Sequence, residues 1–135
     1  MFLIQYNYES NAYIIKHAPY SIEDRPFLSY RSLMIDSSRH YLPLRSIKRI
    51  IDAMSWVKLN VLHWHLVDDQ AFSVSTPSVP SMWDGAYSKM ERYSKYDIED
   101  IVSYAKSRGV HVIAEMDVPG HATSWCVGRG SGLRG

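Results

Sequence analysis

Three short clusters in this sequence have residue types and spacings suited to chemistry: Asp36, Arg39 and His40; His63, His65, Asp68 and Asp69; and Asp117 and His121. Carboxylates, imidazoles and a guanidinium held together can orient a polar substrate and exchange protons near neutral pH. Arg39 offers a planar fork of donors that fits hydroxyls or a carboxylate, or that pairs structurally with Asp36 or Asp68. Asp68 and Asp69 are adjacent, so one is expected to point into a site while the other caps a loop. Asp117 and His121 flank a Pro-Gly turn, and a carboxylate beside an imidazole raises its basicity and fixes its tautomer. His63 and His65 form an H-x-H pair that on a barrel strand can bind zinc, with Asp117 or His121 completing the set. The alternative is two histidines packed under the site and hydrogen-bonded to carboxylates. Asp68 lies three residues beyond His65 and supplies such a partner, so the expectation is a satisfied polar cluster and no metal.

Each cluster follows an apolar run: RSLMID at 31–36, the body of KLNVLHWHLVDDQ at 58–70, and VHVIAEMD at 110–117. Strands are expected at about 31–36, 60–65 and 110–116. Side chains alternate along a strand, so His63 and His65 share one face, and Leu62 and Trp64 share the other. Strands that are apolar in the body and polar at the C-terminal end suit a parallel α/β sheet, where ligands bind beyond the carboxyl ends.

The segments between are predicted to be helical. Over 42–58, Leu44, Ile47, Ile50, Ile51, Met54 and Val57 recur at helical spacing, with Pro43 in the first turn. Arg45, Lys48, Arg49 and Asp52 are expected on a solvated outer face. Ser94 and Asp97 have capping-box spacing, Ile98, Ile101, Val102 and Ala105 form the next apolar stripe, and Gly109 suits the C′ position. The stretch 66–93 has no clear period; Trp83 and Tyr87 are expected to pin it down. Near the N-terminus Ala12–Ile15 reads as a short strand. Alternation of strands and helices predicts an α/β fold with parallel strands and right-handed crossovers. No Gly-rich phosphate cradle follows any strand, which favours a (β/α)8 barrel over a nucleotide-binding sheet.

Composition narrows the partners. The 135 residues carry 15 Lys+Arg against 14 Asp+Glu, a net charge of +1, which gives no electrostatic case for nucleic acid. No apolar run approaches the roughly 20 residues of a membrane-spanning helix. The single Cys126 forms no internal disulfide and has no zinc-binding partner cysteine.

The runs RSLMIDSSRHYLP, KLNVLHWHLVDDQ and GVHVIAEMDVPGH, in this order and at roughly this spacing, resemble the family-20 glycoside hydrolases, the β-N-acetylhexosaminidases. WDGAYSKMERY between them is most similar to plant-type members. The likeness extends over about Pro19 to Gly128. It implies a (β/α)8 TIM barrel that removes terminal β-linked N-acetylhexosamine from glycans or chitooligosaccharides. It implies that Arg39, Asp68 and His121 bind the terminal sugar, with Asp68, Asp117 and His121 supporting catalysis; no cofactor is expected. Family members use substrate-assisted retention: the sugar's acetamido oxygen attacks the anomeric carbon, and a Glu preceded by an Asp serves as acid and then base.

Against that pattern, Ser32 stands where the family usually has Gly, and AFSVSTP at 71–77 is more polar than the usual run. No Asp-Glu dipeptide occurs in the sequence. The resemblance places that pair after the fourth barrel strand, so the expectation is a fragment of about three β/α units without the catalytic pair. Residues 1–28 read as the end of a preceding region, 29–128 as the partial barrel and 129–135 as a frayed Gly-rich tail. The resemblance further implies a secretory-pathway location, vacuolar, lysosome-like or extracellular, and dimers among full-length relatives. Two other readings stand: a metal-dependent barrel hydrolase using His63 and His65, and a non-catalytic short relative.

Overall fold

A computed structural model describes residues 3–127; the tail at 129–135 lies outside the described residues. The elements, in order, are strands β1 (Ile4–Asn7), β2 (Ala12–Ile15) and β3 (Ser32–Asp36), helix α1 (Leu44–Trp56), strand β4 (Val61–Val67), a 3-10 turn over Pro80–Gly85, helix α2 (Lys95–Lys106), strand β5 (His111–Met116) and helix α3 (Thr123–Val127). β1 and β2 form an antiparallel hairpin, Ile4 opposite Ile15. β3, β4 and β5 form a parallel sheet in that spatial order. Among the described residues no helix is long and apolar enough to cross a membrane.

The sheet's helix-facing residues are Ile35, Leu62, Trp64 and Leu66, and they enter one core with Ile47, Ile51 and Met54 of α1 and Ile101 and Ala105 of α2. The period-2 pattern of the strands and the 3.6-residue pattern of the helices meet there. On the opposite face Met34 and Ile113 are exposed, although a parallel sheet is ordinarily covered on both faces. β3 and β5 are both edge strands of this sheet.

Helix α1 starts two residues later than its sequence pattern predicts. Pro43 takes an extended backbone and caps the helix, its carbonyl accepting from the amides of Ser46 and Ile47 at 2.8 and 3.2 Å. The helix stops where Lys58 enters the left-handed region at φ +60°, so Val57 lies past the last turn and is 67% exposed, not part of the buried stripe. Two of the charges expected on a solvated face belong to the helix–helix seam instead. Lys48 Nζ lies 2.6 Å from Asp100, and Asp52 accepts from the Tyr104 hydroxyl at 2.9 Å and pairs with Arg108. Neighbouring crossover helices on one sheet face press their flanks together, and those flanks carry these charges.

The capping box of α2 forms as the spacing predicts: the Ser94 amide donates to Asp97 Oδ2 at 2.7 Å, and Ser94 Oγ accepts from the Asp97 amide at 3.2 Å. Gly109 follows the helix at φ +70°. The stretch 66–93 is more ordered than its lack of period implies. β4 runs on to Val67, short bridges join Val67 to Phe72 and Val74 to Tyr93, and the 3-10 turn rests against α3. Trp83 Nε1 donates to the Ser73 carbonyl at 3.2 Å, and the Tyr87 hydroxyl donates to the Arg39 carbonyl at 3.0 Å. Both aromatics therefore hold the loop down.

Candidate active site

The three clusters, His40 apart, meet at the C-terminal ends of β3, β4 and β5. The parallel register brings this about, setting Asp36 opposite His65 and His65 opposite Glu115. After β3 the chain makes an Asx turn. Asp36 Oδ1 accepts from the amides of Ser38 and Arg39, both at 3.0 Å, and Oδ2 lies 2.6 Å from Arg39 Nη1. Ser37 and Ser38 are buried and tie that turn to the strand beside it. Ser37 Oγ accepts from Trp64 Nε1 at 2.9 Å, and Ser38 Oγ donates to the Ala71 carbonyl at 3.0 Å.

Asp68 is the hub. It is fully buried, yet its carboxylate meets Arg39 Nη2 at 2.7 Å, His65 Nε2 at 2.8 Å and His121 Nδ1 at 3.1 Å, and it accepts from the Asp69 amide at 2.6 Å. A buried carboxylate must be paired and hydrogen-bonded to remain charged. Burial pushes its pKa up, but the Asp69 amide, His65, His121 and Arg39 together outweigh burial and hold it below the ordinary value. Asp69 points the other way and accepts from the Thr123 amide at 2.9 Å, capping α3. That bond is the main reason its carboxyl titrates low.

Asp117 and His121 do not pair. His121 adopts φ +56°, a left-handed conformation uncommon outside glycine, and its imidazole meets Asp68, with Asp69 further off at 3.9 Å. Asp117 faces His65 and Glu115 and contributes negative charge toward Arg39. Arg39, Asp69 and His121 reach solvent, at 36%, 42% and 58% side-chain exposure, with Asp68 buried behind them. The arrangement presents cationic and imidazole donors on a fixed anionic base, which suits recognition of a hydroxyl-rich ligand.

Glu115 went unnoticed in the sequence. Its Oε2 lies 2.7 Å from His63 Nε2 and 2.8 Å from His65 Nδ1. The available signal was its place within apolar VHVIAEMD, two residues from Ile113 on the face that β5 shares with His63 and His65. Two groups converge closely enough to hold a cation: His65, Glu115 and Asp117, and Asp68, Asp69 and His121. In both, the carboxylates already face imidazoles, and in the second Arg39 sits against Asp68, so a cation there would meet a guanidinium at contact distance. We assign none of these residues as metal ligands.

Residues 28–133 match the family description "Glycosyl hydrolase family 20, catalytic domain". The chain is 53% identical over 126 residues to beta-hexosaminidase 1 of Arabidopsis thaliana and 54% identical over 123 residues to beta-hexosaminidase 3 of the same plant. These alignments cover 93% and 91% of this chain and 23% of each relative, so the chain spans under a quarter of their length. Among solved structures, the chitobiase of Flavobacterium johnsoniae aligns with a TM-score of 0.72 and 40% identity, over 77% of this chain and 16% of that one. The exo β-N-acetylglucosaminidase of Vibrio harveyi in complex with N-acetylglucosamine aligns with a TM-score of 0.71 and 30% identity, over 78% of this chain and 19% of that one. A three-stranded parallel α/β sheet with its polar residues gathered at one rim, and sequence kinship over nearly all of the chain, lead to one assignment: the chain belongs to glycoside hydrolase family 20, as part of its catalytic domain.

Proposed function

We propose that this chain supplies the first β/α units of a (β/α)8 barrel that hydrolyses terminal N-acetylhexosamine from β-N-acetylhexosaminides. In this reading Arg39 grips hydroxyls of the terminal sugar, Asp68 anchors Arg39 and His121 from behind, and Asp117 adds negative charge beside them. The observation that carries the reading is the buried Asp68 carboxylate, which gathers Arg39, His65 and His121 at the C-terminal rim of the sheet, where barrel enzymes bind their substrates. The exposed Met34 and Ile113 face fits the interior of a barrel whose other strands come from elsewhere.

The chemistry follows the substrate-assisted course. The acetamido oxygen forms a bond to the anomeric carbon as the glycosidic C–O bond breaks, and a general acid protonates the departing oxygen. Water then opens the cyclic intermediate, with the same group acting as base. This is one of the exceptions to the scheme in which a protein carboxylate is the nucleophile. The 135 residues contain no Asp-Glu pair, and a general acid is worth roughly 10²–10⁴-fold.

The experiment is hydrolysis of a chromogenic N-acetylglucosaminide. The 135 residues alone are expected to show no turnover above buffer. The same residues joined to the remaining barrel of a plant relative, with its Asp-Glu pair, are expected to hydrolyse the substrate. Robust turnover by the isolated monomer, or an inactive but folded joined protein, would refute the reading.

A further inference from the structure

We propose that Glu115 and Asp68 together hold His65 as an imidazolium at neutral pH, and that Glu115 is thereby a positioning residue for the Asp68–Arg39 pair. The proposal concerns the charge state of the cluster and stands apart from the hexosaminide reading; only its consequence for sugar binding rests on that reading.

The geometry leaves little room for a neutral ring. A neutral imidazole carries one N–H and one bare lone pair. His65 Nε2 lies 2.8 Å from Asp68 Oδ2, and Nδ1 lies 2.8 Å from Glu115 Oε2, on a side chain only 3% exposed. Whichever nitrogen lacked its proton would set a lone pair against a carboxylate at a contact distance too short to admit a water. The Nδ1–Glu115 contact lies outside hydrogen-bond geometry, so its attraction is Coulombic and depends on a positive charge on the ring.

A proton on either carboxylate would relieve the clash equally well, but both carboxylates are committed. Asp68 already serves Arg39, His121 and the Asp69 amide, and Glu115 Oε2, though outside hydrogen-bond geometry, lies against two imidazoles, 2.7 Å from His63 Nε2 and 2.8 Å from His65 Nδ1. Contact with His65 is the leading reason Glu115 titrates below its ordinary range. Burial alone would push the His65 pKa down; Glu115 and Asp68 reverse that and raise it. The groups around this ring are Asp36 from β3, Asp68 from the end of β4 with Arg39 on the same carboxylate oxygen, and Glu115 and Asp117 from β5 and its end, with His63 against the same Glu115 oxygen.

The consequence is a chain of alternating charges: Glu115 fixes the charged His65, His65 fixes one oxygen edge of Asp68, and Asp68 fixes Arg39. Without Glu115, burial would dominate at His65, the ring would become neutral, and Asp68 would keep Arg39 and His121 as its main counter-charges.

The test is nitrogen NMR of the histidine side chains in the 135-residue chain, in solution or on a sedimented sample. Both His65 ring nitrogens are expected at imidazolium shifts at neutral pH, with a midpoint clearly above that of an ordinary histidine. Glu115→Gln is expected to lower that midpoint by one unit or more, a tenfold change in proton affinity, and Glu115→Asp to restore part of it. A wild-type His65 that is neutral, with one protonated and one bare nitrogen, overturns the proposal even if no variant folds. So does an unchanged midpoint in folded Glu115→Gln. Stoichiometric zinc that turns His65 into a neutral ligand overturns it as well.

Discussion

Tyr93 is the strut under the Arg39 turn, and its hydroxyl can be removed without disturbing its ring. The side chain is fully buried, stacks on Tyr41 at 4.9 Å and meets Trp64 edge-on at 5.1 Å. Its hydroxyl donates to the Leu42 carbonyl at 2.6 Å and accepts from the Leu42 amide at 3.2 Å, across 51 residues of sequence. Tyr93→Phe keeps the ring contacts and leaves both Leu42 groups without that partner. An unsatisfied buried polar group costs about 1–3 kcal/mol. Leu42 is only half-buried and water can serve part of it, which places the loss near the lower end, about 1–2 kcal/mol. A second effect appears at high pH. Burial pushes the Tyr93 phenol up to about 12, from an ordinary value of 10.0. A group whose folded pKa is raised stabilises the fold below its unfolded pKa, and that contribution is lost as pH rises through the folded value. The native protein should therefore lose about 2–3 kcal/mol of this contribution as pH climbs from the ordinary phenol value to that of Tyr93, and Tyr93→Phe should not. Urea unfolding followed by tryptophan fluorescence, run at neutral and alkaline pH on both proteins, measures each effect. A variant as stable as the native protein, with the same alkaline slope, would refute the strut.

Three further outcomes follow from particular contacts. An added Cβ at Gly85 would lie 2.5 Å from the Ser124 carbonyl oxygen and 3.0 Å from Phe72 Cβ, so Gly85→Ala should cost about 1–3 kcal/mol in urea unfolding through displaced backbone at α3. Asp68 and Glu115 titrate below their ordinary values of 3.8 and 4.5, so their stabilisation is present above those values and is lost as pH falls through the folded ones. His65 titrates above 6.5, so its contribution is complete below that value and fades as pH rises through the folded one. Unfolding midpoints measured from about pH 3 to about pH 9 should thus peak in between, and Asp68→Asn should flatten the acid limb. Ser94→Ala should cost about 1 kcal/mol by removing half of the capping box of α2, and helix content near its melting point reports the loss.

How far the sequence foretold this arrangement depends on what each residue's neighbours are. Although Val102, read as part of the buried stripe of α2, is exposed, the three strands, the existence of both main helices and the capping box were legible because periodicity and cap chemistry are local. So was the meeting of Arg39, Asp68 and His121, since parallel strands place their C-terminal ends together. The partner of His121 was not, because proximity in sequence favoured Asp117 while a left-handed turn delivers the ring to Asp68. Glu115 escaped notice because its partners are set by the β4–β5 register, which no single strand reveals. Lys48 and Asp52 looked like solvent-facing charges until α2 lay beside them. The β1 strand gave no alternation to read: Ile4 and Tyr6 are exposed, as are Tyr13 and Ile15 opposite them.

In the proposed function Arg39, held by Asp36 and Asp68, binds the substrate sugar. The most direct test of this is a joined enzyme in which residues 28–127 of this chain replace the matching segment of beta-hexosaminidase 1 of Arabidopsis thaliana, with kcat/KM measured for the native segment and for Arg39→Ala. Each charge-assisted hydrogen bond to a sugar hydroxyl is worth about ten- to a hundredfold, so loss of two should lower kcat/KM by roughly 10²–10⁴-fold while the protein stays folded. A folded Arg39→Ala enzyme within about threefold of the parent would contradict the account, because a guanidinium that touches the sugar cannot be removed at so small a cost.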